Sequence, residues 1–156
     1  LFEKIADQIF QYACHLGLSC AYEPLLHPRF EEILAIASRH DIPEWGIVTN
    51  GSLLNEKIAE ALIRYRMTVV SVSLDGVTRE TYRDIRGADA FDRVLANVRA
   101  FQEMKRRAGS ELPHLFMNFV MMRRNVGEIA PFLGLCRELG AEDVTFVHVM
   151  PSSTDR

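Results

Sequence analysis

The strongest constraint in this chain is a repeated alternation of two kinds of apolar pattern. Five short apolar runs occur at His15–Cys20, Trp45–Thr49, Thr68–Leu74, Leu115–Met121 and Asp143–Val149. Between them the apolar residues recur at helical spacing, as in Phe30/Ile33/Leu34/Ala37, Ile58/Ala61/Leu62/Tyr65, Phe91/Val94/Leu95/Val98/Phe101 and Ile129/Phe132/Leu133/Cys136. A further helix opens the chain, with Phe2, Ile5, Ile9 and Tyr12/Ala13 expected on one face. Two parallel strands need a long crossover between them, and a helix supplies it. The pattern therefore predicts an α/β fold with a parallel sheet. Right-handed crossovers then build either an open doubly wound sheet or part of a β/α barrel. Periodicity alone does not separate these two.

Local signals mark the element ends. Pro28 suits a first helical position, where its missing N–H costs nothing. Asn50-Gly51 and Asp75-Gly76 read as turns, Asn55 and Asp89 as helix caps, and Thr78–Asp84 as a short helical turn. Asn125 and Glu128 have capping-box spacing, and Gly140 suits the left-handed residue past a helix end. A helix beginning at Leu1 without a cap leads to the expectation that further chain precedes it.

Composition narrows the function classes. The 156 residues carry a net charge of 18 − 21 = −3, with 48% hydrophobic and 25% charged residues, as expected for one globular domain. No Lys/Arg run suggests nucleic acid, and no stretch approaches the roughly 18 apolar residues of a membrane span. Cys14, Cys20 and Cys136 are too few for a disulfide framework, so a cytoplasmic setting is expected.

The strands are apolar until their C-terminal ends, where polar residues gather. Glu23 follows the first, Asn50 the second, and Ser73 and Asp75 close the third. Asn118 interrupts the fourth, Arg123, Arg124 and Asn125 lie beyond it, and His148 nears the end of the fifth. Taken singly, Asn50, Asp75 and Asn125 are common turn and cap residues. Jointly they mark the edge where both parallel architectures bind ligands. No G-x-G-x-x-G or Walker loop follows a strand, no zinc spacing exists, and no Ser-His-Asp order is present. Cys14 and Cys136 read as small hydrophobes, and His148 is retained as a pocket candidate.

Four segments in order resemble the radical S-adenosylmethionine (SAM) enzymes: Ala21-Tyr-Glu-Pro-Leu-Leu-His-Pro28, Val48-Thr-Asn-Gly51, Ser71-Val-Ser-Leu-Asp-Gly76, and Thr81-Tyr-Arg-Asp-Ile-Arg-Gly87 with Phe91-Asp92. Ala21 and Tyr22 stand where glycines are usual in that family. The resemblance implies a partial TIM-like barrel of six β/α units, of which residues 1–150 would supply the second to sixth and residues 151–156 a tail or linker. It also implies SAM and a [4Fe–4S] cluster, whose Cys-x3-Cys-x2-Cys loop and first strand are expected upstream of this sequence. Carried over by position, Glu23 would receive the SAM amino group, Asn50 its methionine or ribose portion, Ser73 a strand-end contact and Arg86 the carboxylate. Asp75 would shape its turn. An external electron donor and a small-molecule or peptide substrate are implied as partners. The alternative is a non-catalytic barrel-like binding module that has lost the cluster.

Overall fold

A computed structural model describes residues 1–19 and 22–148 of the chain. Its elements run α1 (Phe2–Ile9), β1 (His15–Gly17), α2 (Phe30–Ala37), β2 (Glu44–Thr49), α3 (Glu56–Arg64), β3 (Val69–Ser73), α4 (Arg79–Arg86), α5 (Phe91–Arg107), β4 (His114–Met121), α6 (Ile129–Glu138) and β5 (Asp143–His148). The strands form one sheet in the order β1-β2-β3-β4-β5, and every pairing is parallel.

This order separates the two architectures left open by periodicity. A doubly wound sheet reverses its strand order at a switch point. Here each strand pairs with its sequence neighbour, so right-handed crossovers carry every helix to the same side. The result is an arc of a β/α barrel.

The two faces of the arc differ in chemistry. Residues matched in register share a face. On the helix side, Val70 pairs with Leu115 and Val72 with Met117, and all four are fully buried with Phe119. Phe119 packs on Phe132 at 4.7 Å and on Phe146 at 5.9 Å between ring centroids, which fastens β4 to α6 and β5. The alternate residues, Val48, Ser71, Ser73, Phe116, Asn118 and Thr145, occupy the other face. Gly46 lies there too, because a Cβ at that position would meet the Val69 carbonyl oxygen at 2.4 Å.

Several local expectations shift. Along α1 and the 3₁₀ turn after it, Ala6 and Phe10 are buried and the expected Phe2 and Ala13 are half-buried against the core, while Ile5, Ile9 and Tyr12 are exposed. Phe10 meets Phe2 and His40 edge-on, at 5.7 and 5.4 Å between ring centroids, and these contacts set which side is enclosed. Pro28 lies in the turn before α2, whose flanking residue is Arg29. Asp89 does not cap α5; Ala90 holds that position with no side-chain bond. The Asn125–Glu128 capping box is absent, and both side chains bond across the fold instead. Asn55 does cap α3 by accepting the Ile58 N–H, and Gly140 is left-handed at φ +70°. Cys20, Ala21, Val149 and the 151–156 tail lie outside the described residues.

Candidate functional site

Because all strands are parallel, their C-terminal ends converge on one edge, and the loops there are tied together by side chains. Glu23 precedes a short 3₁₀ turn, Pro24–Leu26, and closes it by accepting the Leu25 N–H at 3.2 Å. The same oxygen accepts the Thr49 hydroxyl at 2.6 Å, and the other accepts the Asn50 N–H at 2.8 Å. A carboxylate has about four acceptor positions, so these three bonds fix Glu23 and leave about one unused. Thr49 is buried and also accepts the Gly51 N–H at 3.1 Å. Asn50 turns its Oδ1 to the Ser52 N–H at 2.9 Å. Gly51 adopts φ +75°, and a Cβ would press on Val72 and Val94. From α5, Asn97 donates to the Gly51 and Ser52 carbonyls. The loop after β2 is thus bonded on both sides.

A second polar lattice closes β3 and β4. Asp75, only 3% exposed, accepts the Val120 N–H at 2.8 Å with one oxygen and pairs with the Arg86 guanidinium at 2.7 Å with the other. It therefore reaches across to β4 and does more than shape its own turn. Asn125, fully buried, donates to the Asp75 and Val120 carbonyls at 3.0 and 2.9 Å and accepts the Met122 N–H at 2.7 Å. Glu128 accepts the Val77 N–H at 2.6 Å and the Thr81 hydroxyl, which pins the start of α4. Arg86 is held on Asp75, and its Nε is buried without a partner among the described residues. Charge-assisted bonds of this kind hold both groups in fixed orientation.

Four residues carry the sequence-based site, and the structure brings Glu23 and Asn50 into direct contact. Ser73 is half-buried at the end of β3, with no hydroxyl partner among the described residues. Arg86 stands on the same edge, tethered to Asp75. Thr49 and Thr145 were not singled out by the sequence. A strand threonine looks like ordinary β-propensity, and only the register shows that Thr145, inside β5, continues the line Ser73–Asn118–Thr145.

The remaining candidates divide clearly. Burial pushes the Cys136 thiol up to about 12, which suits an inert core residue, while Cys14 is exposed. Among the described residues no group of three or more His, Cys, Asp or Glu side chains could hold a metal ion. No helix among them is long and apolar enough to cross a membrane. His148 is opposite Met121 in the β4–β5 register and lines an open hollow of about 720 Å³ with Met121, Met122, Arg123 and Arg124.

Comparison with known proteins places this geometry. The chain is 30% identical over 129 residues to a probable GTP 3',8-cyclase of Saccharolobus islandicus, covering 83% of this chain and 40% of the relative. A probable GTP 3',8-cyclase of Metallosphaera sedula is 28% identical over 134 residues, covering 86% of this chain and 40% of the relative. The chain thus spans about 40% of the length of these curated relatives. Among solved structures, Streptococcus suis SuiB bound to S-adenosylmethionine superposes with a TM-score of 0.72 at 16% identity, covering 89% of this chain and 30% of that one. The enzyme anSMEcpe with bound AdoMet and a Kp18Cys peptide gives 0.70 at 19% identity, covering 96% and 42%. These two likenesses show the shared fold. The sequence profile of the radical SAM superfamily matches residues 2–136, which is most of the chain, and the protein belongs to that superfamily.

Proposed function

We propose that this chain is the SAM-binding core of a radical SAM enzyme, with residues 1–150 as the core and Glu23, Asn50, Ser73 and Arg86 as its SAM contacts. The observation that carries this reading is the state of Glu23: it is fixed by three donors, it touches Asn50, and it keeps acceptor capacity. A carboxylate held this way suits the SAM ammonium. Asn50 would meet the methionine or ribose portion from the adjoining turn. Ser73 would add a free hydroxyl, and Arg86 would turn its remaining Nη hydrogens to the SAM carboxylate while staying on Asp75. In this family bound SAM supplies a hydrogen-abstracting 5′-deoxyadenosyl radical, formed with an electron from a [4Fe–4S] cluster and an external donor. The described residues offer no ligand set for such a cluster, so no step is assigned to them there. Their work is to bind, orient and shield the cofactor.

Two kinds of relative support a substrate class. The curated relatives are named for a guanine nucleotide, and anSMEcpe is titled with a bound peptide. A small molecule or a peptide is therefore the substrate class proposed for the intact protein. Calorimetric titration of the chain with SAM tests the core of the reading. Glu23→Gln should weaken SAM binding by about tenfold or more, since a hydrogen bond to a charged group contributes roughly 1.5–3 kcal/mol. Equal affinity in the wild type and in a folded Glu23→Gln variant would overturn the assignment.

A further inference from the structure

Helix α4 carries Arg86, yet its own sequence gives it little with which to grip the fold. Most surface helices are placed by a broad apolar stripe. In Arg79–Arg86 five of the eight residues are charged, so the buried Tyr82 and the half-buried Ile85 are its whole apolar side. Tyr82 rests on Phe91, with 5.7 Å between ring centroids. That is a narrow foothold.

The other ties are polar and come from outside the helix. At its start, one Glu128 oxygen accepts the Val77 N–H at 2.6 Å and the other accepts the Thr81 hydroxyl. Near its end, Arg124 donates to the Asp84 carbonyl at 3.3 Å, and Arg86 lies 2.7 Å from the Asp75 carboxylate. Asp75 is held in turn by the buried Asn125, which donates to its carbonyl. Arg124, Asn125 and Glu128 all belong to the connection between β4 and α6. Arg79 also pairs with Asp92, but both are exposed, where an ion pair contributes little.

A free arginine side chain loses much rotamer freedom when it grips a ligand. One whose helix is already pinned gives up less, and binding is tighter for it. At Asp75 this gain is opposed, because a carboxylate beside Arg86 also repels an incoming anion. Glu128 avoids that conflict: it bonds to Val77 and Thr81, at least five residues before Arg86.

We propose that Glu128 is a positioning residue for the SAM carboxylate, placing Arg86 by pinning α4 from the β4–α6 connection. This rests on the reading of Arg86 as the carboxylate contact.

The test is calorimetric titration with SAM and with decarboxylated SAM, which keeps the ammonium, sulfonium and nucleoside but has no carboxylate. Glu128→Ala and Thr81→Val should each weaken SAM by about threefold to tenfold and leave decarboxylated SAM unchanged. Thr81→Val removes a single hydroxyl and serves alone if Glu128→Ala does not fold. Glu128→Gln should recover most of the loss, since its amide can accept the Val77 N–H and donate to the Thr81 hydroxyl. Amide hydrogen exchange over Arg83–Gly87 should quicken in Glu128→Ala and Thr81→Val and not in Glu128→Gln. Arg79→Gln should change neither affinity. Equal losses for the two ligands would make Glu128 a general structural residue and overturn the assignment. Unchanged SAM binding in the Glu128 and Thr81 variants, with a loss in Arg86→Gln, would overturn it too while leaving the cofactor reading intact. Unchanged SAM affinity in Arg86→Gln would instead remove Arg86 from the cofactor reading, and the positioning role with it.

Discussion

The two faces of this sheet are built from alternate residues of the same strands, yet they are made for different tasks. Val70, Val72, Leu115, Met117 and Phe119 are fully buried against helices. Their in-between neighbours Ser71, Ser73, Phe116 and Asn118 form the other face together with Val48, Val69 and Val120, so polar and apolar groups mix there. A period of two lets one strand contribute to both: one set of side chains is enclosed in the core while the set between them is mostly left half-open. The comparison teaches that the packed face and the open face can be altered separately here, residue by residue.

Substitutions can break or sharpen that contrast. The largest effect is expected on the helix side: Phe119→Ala should cost about 3–5 kcal/mol, read as a lower denaturant midpoint, because it opens a cavity beside Phe132 and Phe146. A change below about 1 kcal/mol would mean that the helix side is not the main store of stability. Next comes Gly46→Ala, where the added Cβ would clash with the Val69 carbonyl across the β2–β3 pair. An overpacking cost of about 1–3 kcal/mol is expected in the same assay. Asn118→Ala, on the open face, should stay within about 0.5 kcal/mol of wild type, since its side chain has no described partner to lose. A loss comparable to that of Phe119→Ala would erase the distinction between the faces.

The smallest effect lies on neither face. Hydrogen bonds from Arg106 and then Arg107 hold the half-buried Glu103 carboxyl down at about 2, below its usual 4.5. Its folded value is depressed, so any stabilisation is present above the unfolded value and is lost as pH falls through about 2. Unfolding curves of the wild type and Glu103→Gln should therefore differ slightly at pH 6 and converge near pH 2.

Much of this arrangement was legible in the amino-acid sequence, and the exceptions have physical causes. The alternation of strand and helix appears in side-chain spacing because each element has one face to bury, and Asn55 and Gly140 fill the predicted positions. Strand order is absent from spacing, since it depends on which elements meet in space. Hence barrel and doubly wound sheet stayed unresolved until the pairing was seen. In α1 a hydrophobicity count favours Ile5 and Ile9, but the side enclosed is that of Ala6, next to the Phe2–Phe10–His40 ring contacts. Asn125 and Glu128 have the correct spacing to cap a helix, yet Asp75, Val77 and Thr81 offer them partners that only the folded chain brings near. The Glu23–Asn50 contact joins two segments about which the sequence could say only that both follow strands, and Thr49, which secures it, resembles any β-branched strand residue.

The neighbour-by-neighbour strand order also bears on how the protein assembles. Every strand pairs with its sequence neighbour, 23 to 29 residues away except for the 45 of β3–β4, which hold both α4 and α5, so no pairing waits for a strand beyond the next. Topologies with short sequence separation between contacts fold faster than those that join remote segments. Emerging from a ribosome, each unit can dock on the one before it, and growth proceeds in the direction of translation.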